Sequence, residues 1–88
     1  MLTRSIAYEL APYGIRVNTL APGLTATKAN RDQWAGNPGV WAQRVERIPL
    51  ARAGVPEDHV AAAVYLASSE SSWTTGAEIV IDGGLAAV

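Results

Sequence analysis

The stretch Ile15-Arg16-Val17-Asn18-Thr19-Leu20-Ala21-Pro22-Gly23 decides the fold. It predicts a β-strand over Ile15–Ala21, because β-branched residues alternate along it and a Pro-Gly turn ends it. A second strand is predicted over Ala77–Asp82, where three adjacent β-branched residues precede a Gly-Gly turn. An apolar run without alternation is typical of a strand that is covered on both faces of a parallel sheet.

Helical patterns surround these two strands. Apolar residues recur every four positions from Met1 to Ala11, and the sequence Pro56-Glu57-Asp58 is typical of a first helical turn. Two shorter helices are predicted between the strands, one within Thr25–Gly36 with Thr25 or Thr27 as its cap and one that begins at Asn37-Pro38. The order helix, strand, helices, strand predicts an α/β fold: the last two strands of a doubly wound parallel sheet and their flanking helices.

Two parallel strands are too few for an independent sheet, because each needs cover on two faces and a neighbour on at least one edge. The first helix also lacks an N-cap residue ahead of Leu2. We therefore expect the start of this sequence to lie inside a longer chain. We also expect the 88 residues to fold poorly when they are expressed alone.

The composition excludes several classes of function. The chain has no cysteine and one histidine, so neither a disulfide nor a zinc site is predicted, and no other metal site is proposed. A net charge of −1 without a basic cluster predicts no nucleic-acid partner and no anionic membrane surface. No apolar run is long enough to cross a membrane, and we expect a cytoplasmic protein.

Four motifs in this order resemble the C-terminal third of a short-chain dehydrogenase/reductase. They are Leu10-Ala11-Pro12-Tyr13-Gly14-Ile15-Arg16-Val17-Asn18, Ala21-Pro22-Gly23, Pro49-Leu50-Ala51-Arg52-Ala53-Gly54-Val55-Pro56-Glu57-Asp58 and Asp82-Gly83-Gly84. The resemblance implies that residues 1–88 form the C-terminal segment of a single Rossmann-like domain. The N-terminal dinucleotide-binding half of that domain would then be absent from this chain.

The same resemblance implies NAD or NADP as the cofactor. By analogy with the family, Pro22 and Gly23 let the backbone approach the nicotinamide, the main chain near Thr25 meets the carboxamide, and the Thr27 hydroxyl reaches the carboxamide or the pyrophosphate. Ligands of open α/β sheets bind beyond the carboxyl ends of the strands, where this turn is predicted. Without the other motifs, Pro22-Gly23 and Thr27 would indicate only a turn and a helix cap.

The family's catalytic Tyr-x-x-x-Lys pair is missing. None of the three tyrosines is followed four positions later by lysine, and the residue four positions before Lys28 is Leu24. The glycine-rich dinucleotide turn is also missing, so no catalytic residue is predicted. The resemblance implies a fragment of an oxidoreductase that acts on a small alcohol or carbonyl substrate and forms homo-oligomers.

The roles of several residues have more than one interpretation. Trp34 and Trp41 lie in the segment that resembles the substrate loop, and they could line a pocket or simply pack. We expect His59 to be a solvated residue, Trp73 to pack, and Asn18 to bond the backbone across the sheet. The alternative function is a non-catalytic fragment that associates with itself or depends on a partner, through its first helix and last strand.

Overall fold

Two short strands form the sheet in the computed structural model, which describes residues 2–87. They are β1 (Thr19–Pro22) and β2 (Glu78–Ile81). Thr19 N–H donates to the Ala77 carbonyl at 2.9 Å, and Gly23 N–H donates to the Ile81 carbonyl at 2.8 Å. Donor and acceptor advance together along the chain, so the strands are parallel. The predicted α/β class is confirmed.

Both strands are shorter than the sequence predicts, and β1 begins four residues later. Before it, pairing runs through side chains: Asn18 Nδ2 donates to the Thr74 carbonyl at 2.9 Å, and Ala77 N–H donates to Asn18 Oδ1 at 3.0 Å. The amide of Asn18 thus replaces a rung of the backbone ladder, as predicted. Val17 N–H likewise donates to Thr75 Oγ1 at 3.1 Å.

The helices occupy most of the predicted positions. The structure contains α1 (Leu2–Leu10), α2 (Arg31–Trp34), α3 (Pro38–Glu46) and α4 (Glu57–Ala67), with short 3-10 turns at Ala11–Tyr13, Ser69–Ser71 and Leu85–Ala87.

The short helix predicted within Thr25–Gly36 is confirmed as α2, which has only four residues, but its predicted cap is wrong. Neither threonine caps it: Asn30 is the N-cap residue of α2, and its side chain makes no capping hydrogen bond there. The residues before α2 are held in a turn of their own instead.

The chain divides into two units. The first includes residues up to Ala21 together with Val60–Val80, and the second includes Pro22–His59 together with the residues from Ile81. In the first unit Arg16 holds the loop after α4: Nη1 donates to Ser71 Oγ at 2.8 Å, and Nη2 donates to the Ser68 carbonyl at 3.2 Å. Ser71 is fully buried.

Little of the apolar surface is covered within the described residues. Their buried hydrophobic side chains are Ala7 and Ile48, whereas Leu2 is 73% and Val64 is 62% exposed. The accessible surface is 6400 Å². A complete folded protein of this mass exposes about 5,000 Å². This chain therefore does not bury the apolar surface that its own sequence supplies.

Two expectations about cover are wrong within this chain. In β2 the burial alternates, with Val80 48% exposed, so β2 is not covered on both faces. Trp73 does not pack and is 99% exposed, whereas Ser71 in the same segment is buried. Within residues 2–87 no helix has the length and apolar character needed to cross a membrane.

Candidate functional site

A cavity of about 710 Å³ opens in the second unit, beyond the carboxyl end of β1. All four residues that the resemblance assigned to the cofactor line it. The full set of lining residues comprises Pro22, Gly23, Leu24, Thr25, Thr27, Asn30, Gln33, Arg44, Arg47, Pro56, His59 and Leu85.

Gly23 allows the chain to leave β1 close to Asp82. A Cβ atom at position 23 would lie 2.5 Å from Asp82 Cβ and 2.6 Å from Asp82 Cα. Asp82 has little freedom to move away, because its carboxylate oxygens accept hydrogen bonds at 2.9 Å from the N–H groups of Gly84 and Ala86. Only glycine fits this turn without displacing the backbone of its neighbour.

Thr25 is fixed through its main chain. An isolated parallel bridge joins it to Gly54, whose N–H donates to the Leu24 carbonyl at 2.8 Å and whose carbonyl accepts from Ala26 N–H at 2.9 Å. In a parallel bridge of this kind, the N–H and carbonyl groups of Gly54 are both used. The N–H and carbonyl groups of Thr25 point away from Gly54. The Thr25 carbonyl there accepts a hydrogen bond from Asn30 Nδ2 at 2.7 Å.

Thr27 and Asn30 close the turn that precedes α2. Asn30 Oδ1 accepts from the Thr27 N–H at 2.7 Å and from the Thr27 hydroxyl at 3.0 Å, and Asn30 N–H donates to Thr27 Oγ1 at 3.2 Å. The hydroxyl is therefore oriented by the protein before any ligand binds. One further Oγ1 lone pair is left for a donor from a ligand.

Neither candidate tryptophan lines the cavity. Trp34 Nε1 donates to the Thr27 carbonyl at 2.8 Å and so supports the turn from α2. Trp41 lies under the Arg44 guanidinium, whose carbon is 5.6 Å from the ring centroid. Both indoles therefore contact residues that line the cavity, Thr27 and Arg44. That either indole contacts a substrate directly stays a prediction.

His59 is a site residue that sequence reasoning missed, since we expected it to be solvated. It is half-buried and lines the cavity, and its Nε2 lies 3.0 Å from Thr25 Oγ1. The Thr25 hydroxyl donates its single hydrogen to the Gly23 carbonyl at 2.9 Å, so His59 Nε2–H must be the donor to Oγ1. The position of His59 in the first turn of α4 does not indicate a contact with Thr25.

The other ring nitrogen of His59 has no partner. Nδ1 is buried and makes no hydrogen bond to any described residue. With the hydrogen on Nε2, a neutral imidazole carries a free lone pair at Nδ1.

A salt bridge fixes the segment that leads into α4. Arg52 donates to the Asp58 carboxylate through two nitrogens, at 2.8 and 2.9 Å, and Val55 N–H donates to the same carboxylate at 2.8 Å. The Arg52 hydrogen bonds, followed by that of Val55, hold the pKa of Asp58 well below its usual range. Asp58 is therefore ionised at neutral pH and serves as a structural anion, not as a proton donor.

Comparison with known proteins identifies the fold as that of Rossmann-type oxidoreductases. Residues 1–86 match the family model described as enoyl-(acyl carrier protein) reductase. The chain belongs to the short-chain dehydrogenase/reductase family.

Its relatives are longer proteins. The chain is 44% identical over 85 residues to 3β-hydroxysteroid dehydrogenase 1 of Eggerthella lenta, covering 97% of this chain and 32% of the relative. It is 41% identical, with a TM-score of 0.81, to the crystal structure of 3-oxoacyl-(acyl-carrier-protein) reductase from Agrobacterium tumefaciens C58 with NADP bound, covering 93% of this chain and 32% of that one.

A third likeness is to a short-chain type dehydrogenase/reductase from Mycobacterium marinum, with 44% identity and a TM-score of 0.80. It covers 96% of this chain and 32% of the other. The chain thus spans about a third of the length of the relatives that it matches.

Proposed function

We propose that this chain is the C-terminal segment of a single Rossmann-like domain and contributes the nicotinamide side of an NAD(P) site. In this proposal the complete domain transfers hydride between the cofactor and a small alcohol or carbonyl substrate. The observation that carries the proposal is the single cavity that Pro22, Gly23, Thr25 and Thr27 line together. The NADP bound to the A. tumefaciens reductase supports the choice of cofactor.

The residues on the cavity wall fit a nicotinamide. Pro22, Leu24, Pro56 and Leu85 supply apolar surface for a planar ring. A carboxamide needs both a donor and an acceptor, and the Thr25 main chain and the Thr27 hydroxyl supply such groups. When bound, the nicotinamide supplies or accepts the hydride.

This chain's own residues would bind and orient, and they would not transfer the proton. The sequence contains no Tyr-x-x-x-Lys pair, and its one strongly perturbed carboxylate is locked by Arg52. We therefore assign the acid/base to the part of the complete domain outside these 88 residues. The role of this segment is to hold the nicotinamide against the turn and to shape the substrate side of the cavity.

The proposal is tested by grafting. Residues 1–88 replace the matching segment of the A. tumefaciens reductase, and we call the product the grafted enzyme. We expect it to bind NADPH and to oxidise it in the presence of a carbonyl substrate, as followed by NADPH absorbance. Thr27→Val should raise KM for NADPH by about fivefold, the equivalent of one hydrogen bond.

Thr27→Ser is the matched control, because it keeps the hydroxyl that bonds Asn30. We expect it to behave like the parent graft. A folded grafted enzyme that binds no NADPH would contradict the proposal. So would a Thr27→Val variant whose KM for NADPH equals that of the parent.

A second candidate function is non-catalytic self-association. It is favoured by the exposure of α1, in which Leu2 is 73% and Tyr8 is 85% exposed. We also propose that the complete protein forms homo-oligomers through such surfaces. Sedimentation of the isolated chain distinguishes the two functions. A self-association module gives a concentration-dependent oligomer that does not respond to NADH or NADPH.

A further inference from the structure

The charges on the cavity wall are all of one sign. Arg44 and Arg47 line the cavity, and no aspartate or glutamate is among the residues that line it. The two arginines are three positions apart at the end of α3, a spacing that places side chains on the same side of a helix. Like charges at this spacing repel each other unless an anion lies between them.

Neither guanidinium is neutralised by a carboxylate of residues 2–87. Arg52 and Asp58 form the one salt bridge among residues 2–87, so no carboxylate pairs with Arg44 or Arg47. Arg44 Nη1 makes one long hydrogen bond, 3.4 Å to Gln33 Oε1. The side chain of Arg47 makes no hydrogen bond within the described part of the chain. Most of the donors of both groups are thus available to a ligand.

The position of Arg44 is restricted, although its side chain is exposed. Its guanidinium carbon lies 5.6 Å from the centroid of the Trp41 ring, within the range of a cation–π contact. Apart from the bond to Gln33, the guanidinium N–H groups of Arg44 have no acceptor among the described residues. A planar group held in this way can make paired hydrogen bonds to a carboxylate or a phosphate.

We propose that the cavity binds a ligand through a carboxylate or phosphate group held by Arg44 and Arg47. This inference rests on the proposed function, because it places that anion on the substrate or on the cofactor of the same site. An anion on the substrate restricts the substrate class to hydroxy or oxo acids and phosphorylated alcohols or carbonyls. If the anion belongs to the cofactor, Arg44 and Arg47 bind a phosphate group of the cofactor instead.

The test uses the grafted enzyme and three probes: malonate, inorganic phosphate and NADP. Arg44→Gln and Arg47→Gln should each weaken binding of malonate or phosphate at least about tenfold, the expected loss for a charge-assisted hydrogen bond. Binding is measured by calorimetry at constant ionic strength, because salt screens exposed charges. Both arginines are exposed, so neither substitution is expected to prevent folding.

Arg31→Gln is the matched control. Arg31 also stacks on a tryptophan, with its guanidinium carbon 5.8 Å from the Trp34 centroid, but it does not line the cavity. We expect it to bind all three probes as the parent does. Arg47→Lys keeps the charge without the planar fork, and its affinity for malonate should lie between those of the parent and Arg47→Gln.

The results separate the two sources of the anion. If malonate binds with NADP already bound, and the glutamine variants lose only malonate, the anion belongs to the substrate. If malonate competes with NADP and both bind more weakly in these variants, it belongs to the cofactor. Equal affinity of the parent and both glutamine variants for every probe overturns the inference.

Failure of the proposed function gives a different result. In that case NADP does not bind to the grafted enzyme, yet the binding of malonate still depends on Arg44 and Arg47. If NADP binds in a Thr27-dependent manner while malonate binding is independent of both arginines, only the present inference fails.

Discussion

Replacing Gly23 by alanine should destabilise the protein and displace the turn that lines the cavity. The new Cβ would lie 2.5 Å from Asp82 Cβ, whereas carbon atoms in contact are about 3.5–4.0 Å apart. An overlap of at least about 1 Å must be relieved by backbone movement, since Asp82 is held by two backbone N–H groups. Overpacking of this kind costs about 1–3 kcal/mol.

Gly39→Ala is the matched control with the opposite expected sign. No atom lies within 4 Å of a Cβ built at Gly39, and this residue is in α3. Alanine there should raise the free energy of unfolding by up to about 1 kcal/mol, because glycine is the poorer helix former. The two alanine variants should thus differ by about 1–4 kcal/mol in stability.

Equilibrium urea unfolding of the grafted enzyme measures both variants, and NADPH titration reports on the turn. We expect Gly23→Ala to lower the unfolding midpoint and to weaken NADPH binding, and Gly39→Ala to do neither. The reasoning is refuted if Gly23→Ala keeps the stability of the parent to within about 0.5 kcal/mol, the usual spread for a harmless surface change.

Three further predictions concern other parts of the chain. The pKa of Asp58 is depressed in the folded state by Arg52 and Val55, so its stabilisation is present above the unfolded value of about 4 and is lost as pH falls below it. The urea midpoint of Asp58→Asn should therefore approach that of the parent only as pH is lowered below about 4, and a gap that stays constant there would contradict the assignment. His59→Leu should raise KM for NADPH about fivefold while His59→Gln, which keeps a donor for Thr25, restores most of the loss; equal KM values would exclude a role for this contact. Calorimetry of the isolated chain should show no cooperative thermal transition, and a sharp one would show that these residues form a stable core alone.

Local sequence signals predicted where helices and strands begin and end, because these signals act between residues that are close in the chain. Pro56, Glu57 and Asp58 favour a helical first turn by backbone geometry and charge, and α4 begins there. β1 ends at Pro22 with Gly23 directly after it, as predicted, because proline has no N–H to continue the ladder and glycine tolerates turn conformations.

Features that depend on contacts between distant residues were missed. The bond between His59 and Thr25 joins residues 34 positions apart, and nothing near His59 in the sequence signals it. The exposure of Trp73 is another case, because an indole normally indicates packing. Arg44 and Arg47 reach the cavity only because the chain brings α3 to the turn, which no periodicity shows.

We propose the turn from Pro22 to Thr27 as the nicotinamide side of an NAD(P) site. A crystal structure of the grafted enzyme with NADP tests it most directly. We expect the nicotinamide ring in the cavity beside Pro22 and Gly23, with its carboxamide bonded at Thr25 or Thr27. Density for the ring elsewhere, with no ligand against this turn, would contradict the claim.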